Sequence, residues 1–242
     1  RTARYLKTKR NTRLMDAWEE AVGIINKRKH TSVNEITCFK KEKTMTQARV
    51  LDKKELKDLL QFIATRKHAA RDRAMVLMTH LAGMRVKEVA CTKIKDVLTS
   101  EGTIKSEIHL SAKQTKGKHS RVIVLSEKLQ KELLVYLQTR FETKQLDTGA
   151  VTKAMNKALF NTQKRSYFNA NTLCNHFYML YKAARFNGAS SHSGRRSFLT
   201  ALSSKGVALK TMMELAGHRQ IATTTLYIDV SEDIKRAAVE LL

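Results

Sequence analysis

Four separate stretches of this 242-residue chain carry side chains that could act on a phosphodiester. In chain order they are residues 83–88, 116–117, 192–195 and 217–227. Arginines in them could bind non-bridging phosphate oxygens, and a tyrosine could attack phosphorus while a lysine or histidine moves protons. Each stretch alone is commonplace, because an arginine after a glycine or a Lys-Gly turn is usually solvated surface. The functional prediction therefore rests on the ordered set.

Taken in order, the four stretches resemble the catalytic domain of the tyrosine recombinase, or phage integrase, family. That family carries an arginine in a G-x-R-x-x-E context, a lysine in a β-hairpin turn, an H-x-x-R sequence, and a G-H pair with the nucleophilic tyrosine nine residues on. The resemblance covers residues 48–242, about four fifths of the chain. The site residues that it implies are Arg85, Lys116, His192, Arg195, His218 and Tyr227.

The hairpin lysine has three candidates, Lys113, Lys116 and Lys118. The family places this lysine eight residues before the third residue of the apolar strand end that follows the turn's arginine. Counting back from Val124 gives Lys116. Lys118 remains the alternative, because hairpins differ in length between relatives.

The resemblance implies that three side chains oppose the negative charge of the phosphate. Arg85 and Arg195 would form paired hydrogen bonds with its non-bridging oxygens and stabilise the pentacoordinate transition state. His218 would add a third donor. These groups would take over the charge stabilisation that Mg²⁺ supplies elsewhere, so we expect no metal and no other cofactor.

The other three side chains would form the covalent bond and move protons. Tyr227 would attack phosphorus and form a 3′-phosphotyrosyl bond, leaving a free 5′-hydroxyl. His192 is the candidate base or positioning group for the phenol, and Lys116 would protonate the departing 5′ oxygen as general acid. The phosphotyrosyl bond would conserve the energy of the diester, so rejoining needs no nucleotide.

The sequence departs from the family pattern in three places. Ser191 stands where a proline often precedes the histidine of H-x-x-R, and Arg196 stands where a histidine is frequent. Neither change removes a catalytic group. The segment before residue 48 has about half the length of the relatives' helical core-binding domain, so we expect it to be either naturally short or truncated.

The overall charge predicts a polyanionic partner. Lysine and arginine number 46 against 22 acidic residues, a formal net charge of +24. Nucleic acid is favoured over a membrane, because the sequence has neither a long basic amphipathic helix nor an apolar run of about 18 residues. With the resemblance, this predicts double-stranded DNA with specific recombination sites as partner, and a cytoplasmic protein of a bacterium, phage, plasmid or other mobile element. Three scattered cysteines are expected to be incidental thiols.

A mostly helical α+β fold with one small antiparallel sheet is predicted to position these residues. Residues 107–112 and 121–125 alternate as strands, and a strand around 94–98 would complete a three-stranded sheet. Periodicity and glycine stops predict helices over about 52–63, 68–81, 126–142, 171–186, 194–204, 208–215 and 221–227. We expect two parts, a basic N-terminal arm with one amphipathic helix over residues 1–47 and the catalytic domain over 48–242.

A last short helix is predicted from about residue 232, capped by Ser231. One of its faces carries Ile234, Ala237, Ala238 and Leu241. Such a narrow stripe on a short helix is unstable alone, so the helix must dock. It could dock on its own domain. The resemblance favours transfer to a neighbouring protomer of a homo-tetramer on synapsed DNA.

Two other functions share parts of the pattern. A type IB topoisomerase or telomere resolvase uses the same nucleophile and would relax plasmid without two specific sites. A non-catalytic basic DNA-binding protein would explain the charge, but it should have lost at least one of the six groups, and all six are present. The set therefore favours a site-specific recombinase that serves integration, excision, inversion or resolution.

Overall fold

The computed structural model describes residues 47–115, 119–162, 167–227 and 239–240. The predicted N-terminal arm and helix, the hairpin lysine Lys116 and nearly all of the predicted last helix lie outside these residues. Within them, a compact unit begins at Ala48. None of the helices described there is both long enough and apolar enough to cross a membrane.

The unit opens with four helices, a hairpin and a long helix. In chain order these are α1 (Lys53–Ala64), α2 (Ala69–Ala82), α3 (Val86–Cys91), α4 (Ile94–Val97), β1 (Glu107–Leu110), β2 (Arg121–Val124) and α5 (Glu127–Phe141). Further helices follow, namely α6 (Gly149–Thr152), α7 (Ala170–Ala183), α8 (Ser193–Ser203), α9 (Leu209–Ala216) and α10 (Ile221–Thr225). The long predicted helices are present with small shifts at their ends.

Local signals set the helix boundaries. Asp52 Oδ1 accepts from the Glu55 N–H at 2.7 Å, and Glu55 Oε2 accepts from the Asp52 N–H at 3.1 Å, so a capping box begins α1. Gly83 and Gly217 end α2 and α9 in the left-handed region, with φ of 60° and 62°. A predicted site residue follows each of these glycines, Arg85 two positions after Gly83 and His218 directly after Gly217.

The prediction of a three-stranded sheet is wrong for the described residues, in which the sheet has two antiparallel strands, β1 and β2. Residues 94–97 form the short helix α4 instead. Asp96 accepts from the backbone N–H three residues earlier at 2.8 Å, and Ile94 and Val97 are both fully buried. Apolar residues three apart share one face of a helical turn but would point to opposite faces of a strand. Within residues 94–98, Leu98 alone forms an isolated β-bridge, to Ile104.

Helix α2 runs through the core. Residues 74–78 are all fully buried, so the middle of this helix is covered on every side. Helix α8 packs closely against it at Gly194, where a Cβ would overlap Thr79 Oγ1 and lie 2.7 Å from Thr79 Cβ. The glycine therefore lets the first turn of α8 approach the last turns of α2.

The segment that enters the unit is hydrogen-bonded to α8. The Leu51 N–H donates to Ser197 Oγ at 2.8 Å, and Arg196 Nη1 donates to the Ala48 carbonyl at 3.0 Å. Arg196 and Ser197 directly follow Arg195 in that helix. Arg196, which stands where the family often has a histidine, thus binds the segment that enters the unit.

Candidate active site

Arg195 joins the ends of two helices. It lies in the first turn of α8 and is 5% exposed. Nη1 donates to the Gly83 carbonyl at 2.7 Å and Nη2 to the Ala216 carbonyl at 2.6 Å, which close α2 and α9. Cations are favourable at helix C-termini because the carbonyls there carry partial negative charge. Burial, followed by the charges of Arg85 and Arg121, lowers the pKa of Arg195 to about 9, so it stays charged at neutral pH.

His218 accepts a hydrogen bond from Arg195. Arg195 Nη2 lies 2.7 Å from His218 Nε2, and since a guanidinium only donates, Nε2 is the acceptor. The ring proton therefore lies on Nδ1, which donates to Thr224 Oγ1 at 2.9 Å. Burial, followed by the charges of Arg195, Arg85 and Arg121, lowers the pKa of His218 to about 4. The imidazole is neutral at pH 7 in this arrangement.

Arg85 and Arg121 share one buried carboxylate. Glu88 is fully buried, and its Oε1 accepts from Arg85 Nη1 at 3.1 Å. Glu88 Oε2 accepts from the Arg85 backbone N–H at 2.8 Å and from Arg121 Nη2 at 3.0 Å. Two guanidiniums against one carboxylate leave this cluster with a net positive charge.

Three arginines from three parts of the chain bind successive carbonyls at the end of α9. Arg121, Arg195 and Arg85 donate, in that order, to the carbonyl oxygens of residues 215, 216 and 217, at 3.3, 2.6 and 3.3 Å. The helix end thus gathers the arginines and is fixed by them. Positive charge is concentrated beside the turn that leads into His218.

Tyr227 lies beside His218. Their ring centroids are 6.0 Å apart and their planes differ by 22°. The tyrosine also packs on a small apolar cluster of Leu199, Met212 and Ala216. Helix α10 therefore returns the chain so that the half-buried phenol stands next to the arginine–histidine pair.

A cavity of about 590 Å³ opens against Arg85, Arg121 and His218. The arginines and histidines of its lining are Arg85, His119, Arg121, His218 and Arg219. Among the residues that the structure describes, no group of three or more His, Cys, Asp or Glu side chains could hold a metal ion.

Lys116 lies outside the described residues, but both ends of its turn are placed. Thr115 and His119 line the cavity, and Thr115 Oγ1 donates to the His119 carbonyl at 2.8 Å.

His192 stands at the N-terminal boundary of α8, exposed and three residues before Arg195. The predicted residues that the structure brings together are Arg85, Arg195, His218 and Tyr227.

Two further residues of the site were not predicted. The sequence marks Arg121 only as the arginine that follows the hairpin turn, although it is the one charged residue in the otherwise apolar stretch 121–125. Thr224 is fully buried and fixes the ring of His218, yet nothing in its sequence context separates it from the neighbouring threonines.

Residues 49–233 match the model of the Phage integrase family. Tyrosine recombinase XerA of Thermococcus kodakarensis is 30% identical over 195 residues, which are 79% of this chain and 62% of the relative. Tyrosine recombinase XerC of Lactobacillus delbrueckii subsp. bulgaricus is 32% identical over 164 residues, 66% of this chain and 51% of the relative. The chain thus spans between about half and two thirds of the length of these relatives.

Solved structures are similar over the same part. A crystal structure of XerA recombinase has a TM-score of 0.62 at 25% identity and covers 81% of this chain and 65% of that one. XerH site-specific recombinase bound to a palindromic difH substrate, in a post-cleavage complex, has a TM-score of 0.58 at 22% identity, with 80% and 53% covered. The predicted mostly helical α+β fold is confirmed, apart from the third strand.

Proposed function

Because the chain belongs to the phage integrase family, we propose that it is a site-specific tyrosine recombinase, which cuts and rejoins DNA through a 3′-phosphotyrosyl intermediate. The observation that carries the proposal is the convergence of Arg85, Arg195, His218 and Tyr227 from separate stretches beside one basic cavity. The recombinases among its relatives support this function over a relaxing topoisomerase or a non-catalytic DNA-binding protein.

In the proposed cleavage step, Arg85 and Arg195 bind the scissile phosphate and stabilise the charge that develops on its equatorial oxygens. The Tyr227 oxygen attacks phosphorus while the bond from phosphorus to the 5′ oxygen breaks. The phenol proton passes to His192, and Lys116 gives a proton to the 5′ oxygen. Rejoining reverses both transfers, with a 5′-hydroxyl as nucleophile.

The hydrogen bond between Arg195 and His218 must change when DNA binds. His218 Nε2 accepts from Arg195, so it cannot donate to a phosphate in this arrangement. A bound phosphate would draw Arg195 toward itself, and its negative charge would favour a protonated His218. We propose that the pair rearranges so that both groups donate to the phosphate.

The proposed partner is double-stranded DNA carrying recombination sites, bound by a homo-tetramer. The basic cavity and the net charge of +24 support a DNA partner. Transfer of the last helix to a neighbouring protomer is part of the proposal, and residues 231–238 of that helix lie outside the described ones. The proposed DNA substrate is also the reason to propose a cytoplasmic protein of a bacterium or mobile element, because bacterial genomes lie in the cytoplasm.

The nucleophile is tested with Tyr227→Phe on a nicked suicide substrate, from which the cleaved strand end diffuses away. The variant should form no covalent protein–DNA adduct on a denaturing gel while binding DNA with nearly unchanged affinity, because only a hydroxyl is lost. Tyr178→Phe is the matched control, since Tyr178 is 51% exposed on α7, and it should form the adduct normally. Adduct at full yield with Tyr227→Phe would show that another residue is the nucleophile.

A further inference from the structure

Arg121 makes contacts in the site that the proposed mechanism does not use. It is the first residue of β2, and its side chain is only 10% exposed. Its guanidinium binds Glu88 and the Leu215 carbonyl, while its buried Nε has no hydrogen-bond partner among the described residues. A Cβ on Gly217 would lie 2.7 Å from Arg121 Cδ, so the side chain packs directly on the turn before His218.

The shared carboxylate determines how strongly Arg85 is held. Glu88 is fully buried and has Arg85 and Arg121 as its two cations. Without Arg121, the buried negative charge would be balanced by Arg85 alone. Removing one partner of a buried ion pair is costly, so Arg85 would be drawn toward Glu88 and away from the cavity. With Arg121 present, the cluster keeps its surplus positive charge.

We propose that Arg121 is a positioning residue for strand cleavage, which by sharing Glu88 leaves Arg85 available to the scissile phosphate. The inference rests on the proposed function, because it presumes that Arg85 binds that phosphate. Arg121 acts on Arg85 by way of Glu88, to which its Nη2 is bonded, while its Nη1 is held by the Leu215 carbonyl.

Arg121 could instead act by holding the hairpin that carries Lys116, since β2 follows that turn directly. Two modified substrates separate the alternatives. A methylphosphonate at the scissile position removes the phosphate charge, so it relieves a defect in charge stabilisation. A sulfur in place of the bridging 5′ oxygen leaves without protonation, so it relieves a defect in the general acid.

The first experiment measures single-turnover cleavage by the full chain and by Arg121→Gln. On ordinary DNA the variant should be slower by about 10- to 100-fold, as expected for weakening one transition-state donor. The ratio between wild type and variant should shrink several-fold on the methylphosphonate and stay unchanged on the 5′-thio substrate. A ratio that collapses on the sulfur substrate, or that the methylphosphonate leaves unchanged, would overturn the proposal.

A second experiment tests the shared carboxylate itself. Adding Glu88→Gln to Arg121→Gln removes the charge that captures Arg85, so the double variant should cleave faster than Arg121→Gln alone. A merely structural role for Arg121 would make the double variant equally slow or slower, and that outcome would refute the mechanism. Arg73→Gln is the matched control, since it removes an ion pair to Glu132, with contacts of 2.6 Å, outside the site, and should leave cleavage unchanged.

Folding is monitored by melting temperature and DNA affinity for each variant. If Arg121→Gln is unfolded, Arg121→Lys replaces it, because lysine keeps the charge but not the two-pronged geometry. It should give the same substrate pattern with a smaller ratio, and any other pattern counts against the proposal. Failure of the proposed function can be told apart from failure of the Arg121 proposal, because the wild-type protein would then form no covalent adduct with DNA.

Discussion

At the scale of single residues, Arg85, Arg121 and Arg195 each have a fixed acceptor within the protein. Arg195 binds two helix-end carbonyls and His218, while Arg85 and Arg121 share Glu88. Burying a guanidinium without such acceptors would be unfavourable. The acceptors therefore hold the positive charge together before DNA arrives, which limits the reorganisation that stabilisation of a transition state requires to the proposed change at Arg195 and His218.

The orientation of His218 depends on one hydroxyl. Replacing Thr224 with valine keeps the shape but removes the acceptor of the Nδ1–H, leaving a buried donor unpaired at a cost of about 1–3 kcal/mol. We expect single-turnover cleavage by Thr224→Val to fall about tenfold, because the ring loses its fixed tautomer and orientation. Thr224→Ser keeps the hydroxyl and should cleave at nearly the wild-type rate. Equal rates for the two variants would show that the hydroxyl does not matter.

Sequence alone predicted the residues that have a recognisable context, and it missed Arg121, which is defined by a distant partner. Arg85, Arg195, His218 and Tyr227 each stand next to a glycine, a histidine or a fixed spacing that marks them. The role of Arg121 arises from a carboxylate 33 positions earlier in the chain. No local pattern contains that information, because the fold creates the contact.

At the scale of elements, the site is built where helix ends meet. The C-terminal ends of α2 and α9 and the first turn of α8 converge on Arg195. Glycine stops mark the ends of these helices in the sequence, and α8 and α9 also have an apolar stripe. Periodicity failed at Ile94–Val97, because a segment of four residues with only two apolar ones is too short to show a period, and the Asp96 cap favours the helical turn.

Close packing of α8 on α2 should be sensitive to one methyl group. Gly194→Ala would place a Cβ against Thr79, forcing α8 outward and costing about 1–3 kcal/mol of stability. We expect a lower melting temperature and slower cleavage with little loss of DNA affinity, since Arg195 moves with the helix. Gly149→Ala, which has no atom within 4 Å of its added Cβ, is the control and should be neutral or slightly stabilising. Equal melting temperatures for the two variants would mean that the helices tolerate the methyl group.

At the scale of the whole molecule, stability should depend on pH through a buried histidine that is not part of the basic cavity's lining. His80 is 5% exposed and contacts the Tyr181 hydroxyl at 3.3 Å, and burial lowers its pKa from 6.5 to about 4. Between these two values the unfolded chain binds a proton that the folded chain does not. The contribution of neutral His80 to the free energy of unfolding is therefore fully present above pH 6.5. It is lost as pH falls toward 4.

We expect the free energy of unfolding to be lower at pH 5 than at pH 7, by about 2 kcal/mol from His80 alone. The lowered pKa of His218 has the same sign and adds to the effect. Chemical denaturation at both pH values measures it, and His80→Gln should reduce the difference. His109→Gln is the control, because the His109 side chain is 75% exposed on β1. A pH dependence that is identical in wild type and His80→Gln would contradict the assignment.

The hydrogen bond from the Leu51 N–H to Ser197 Oγ gives the active site a spectroscopic reporter outside the cavity. This amide can exchange its proton with solvent only when the entering segment separates from α8, two residues beyond Arg195. Its exchange rate therefore measures how often the helix that holds Arg195 loses its contact with the entering segment. One backbone signal, read without DNA or any label on the site, follows the integrity of the site in every variant.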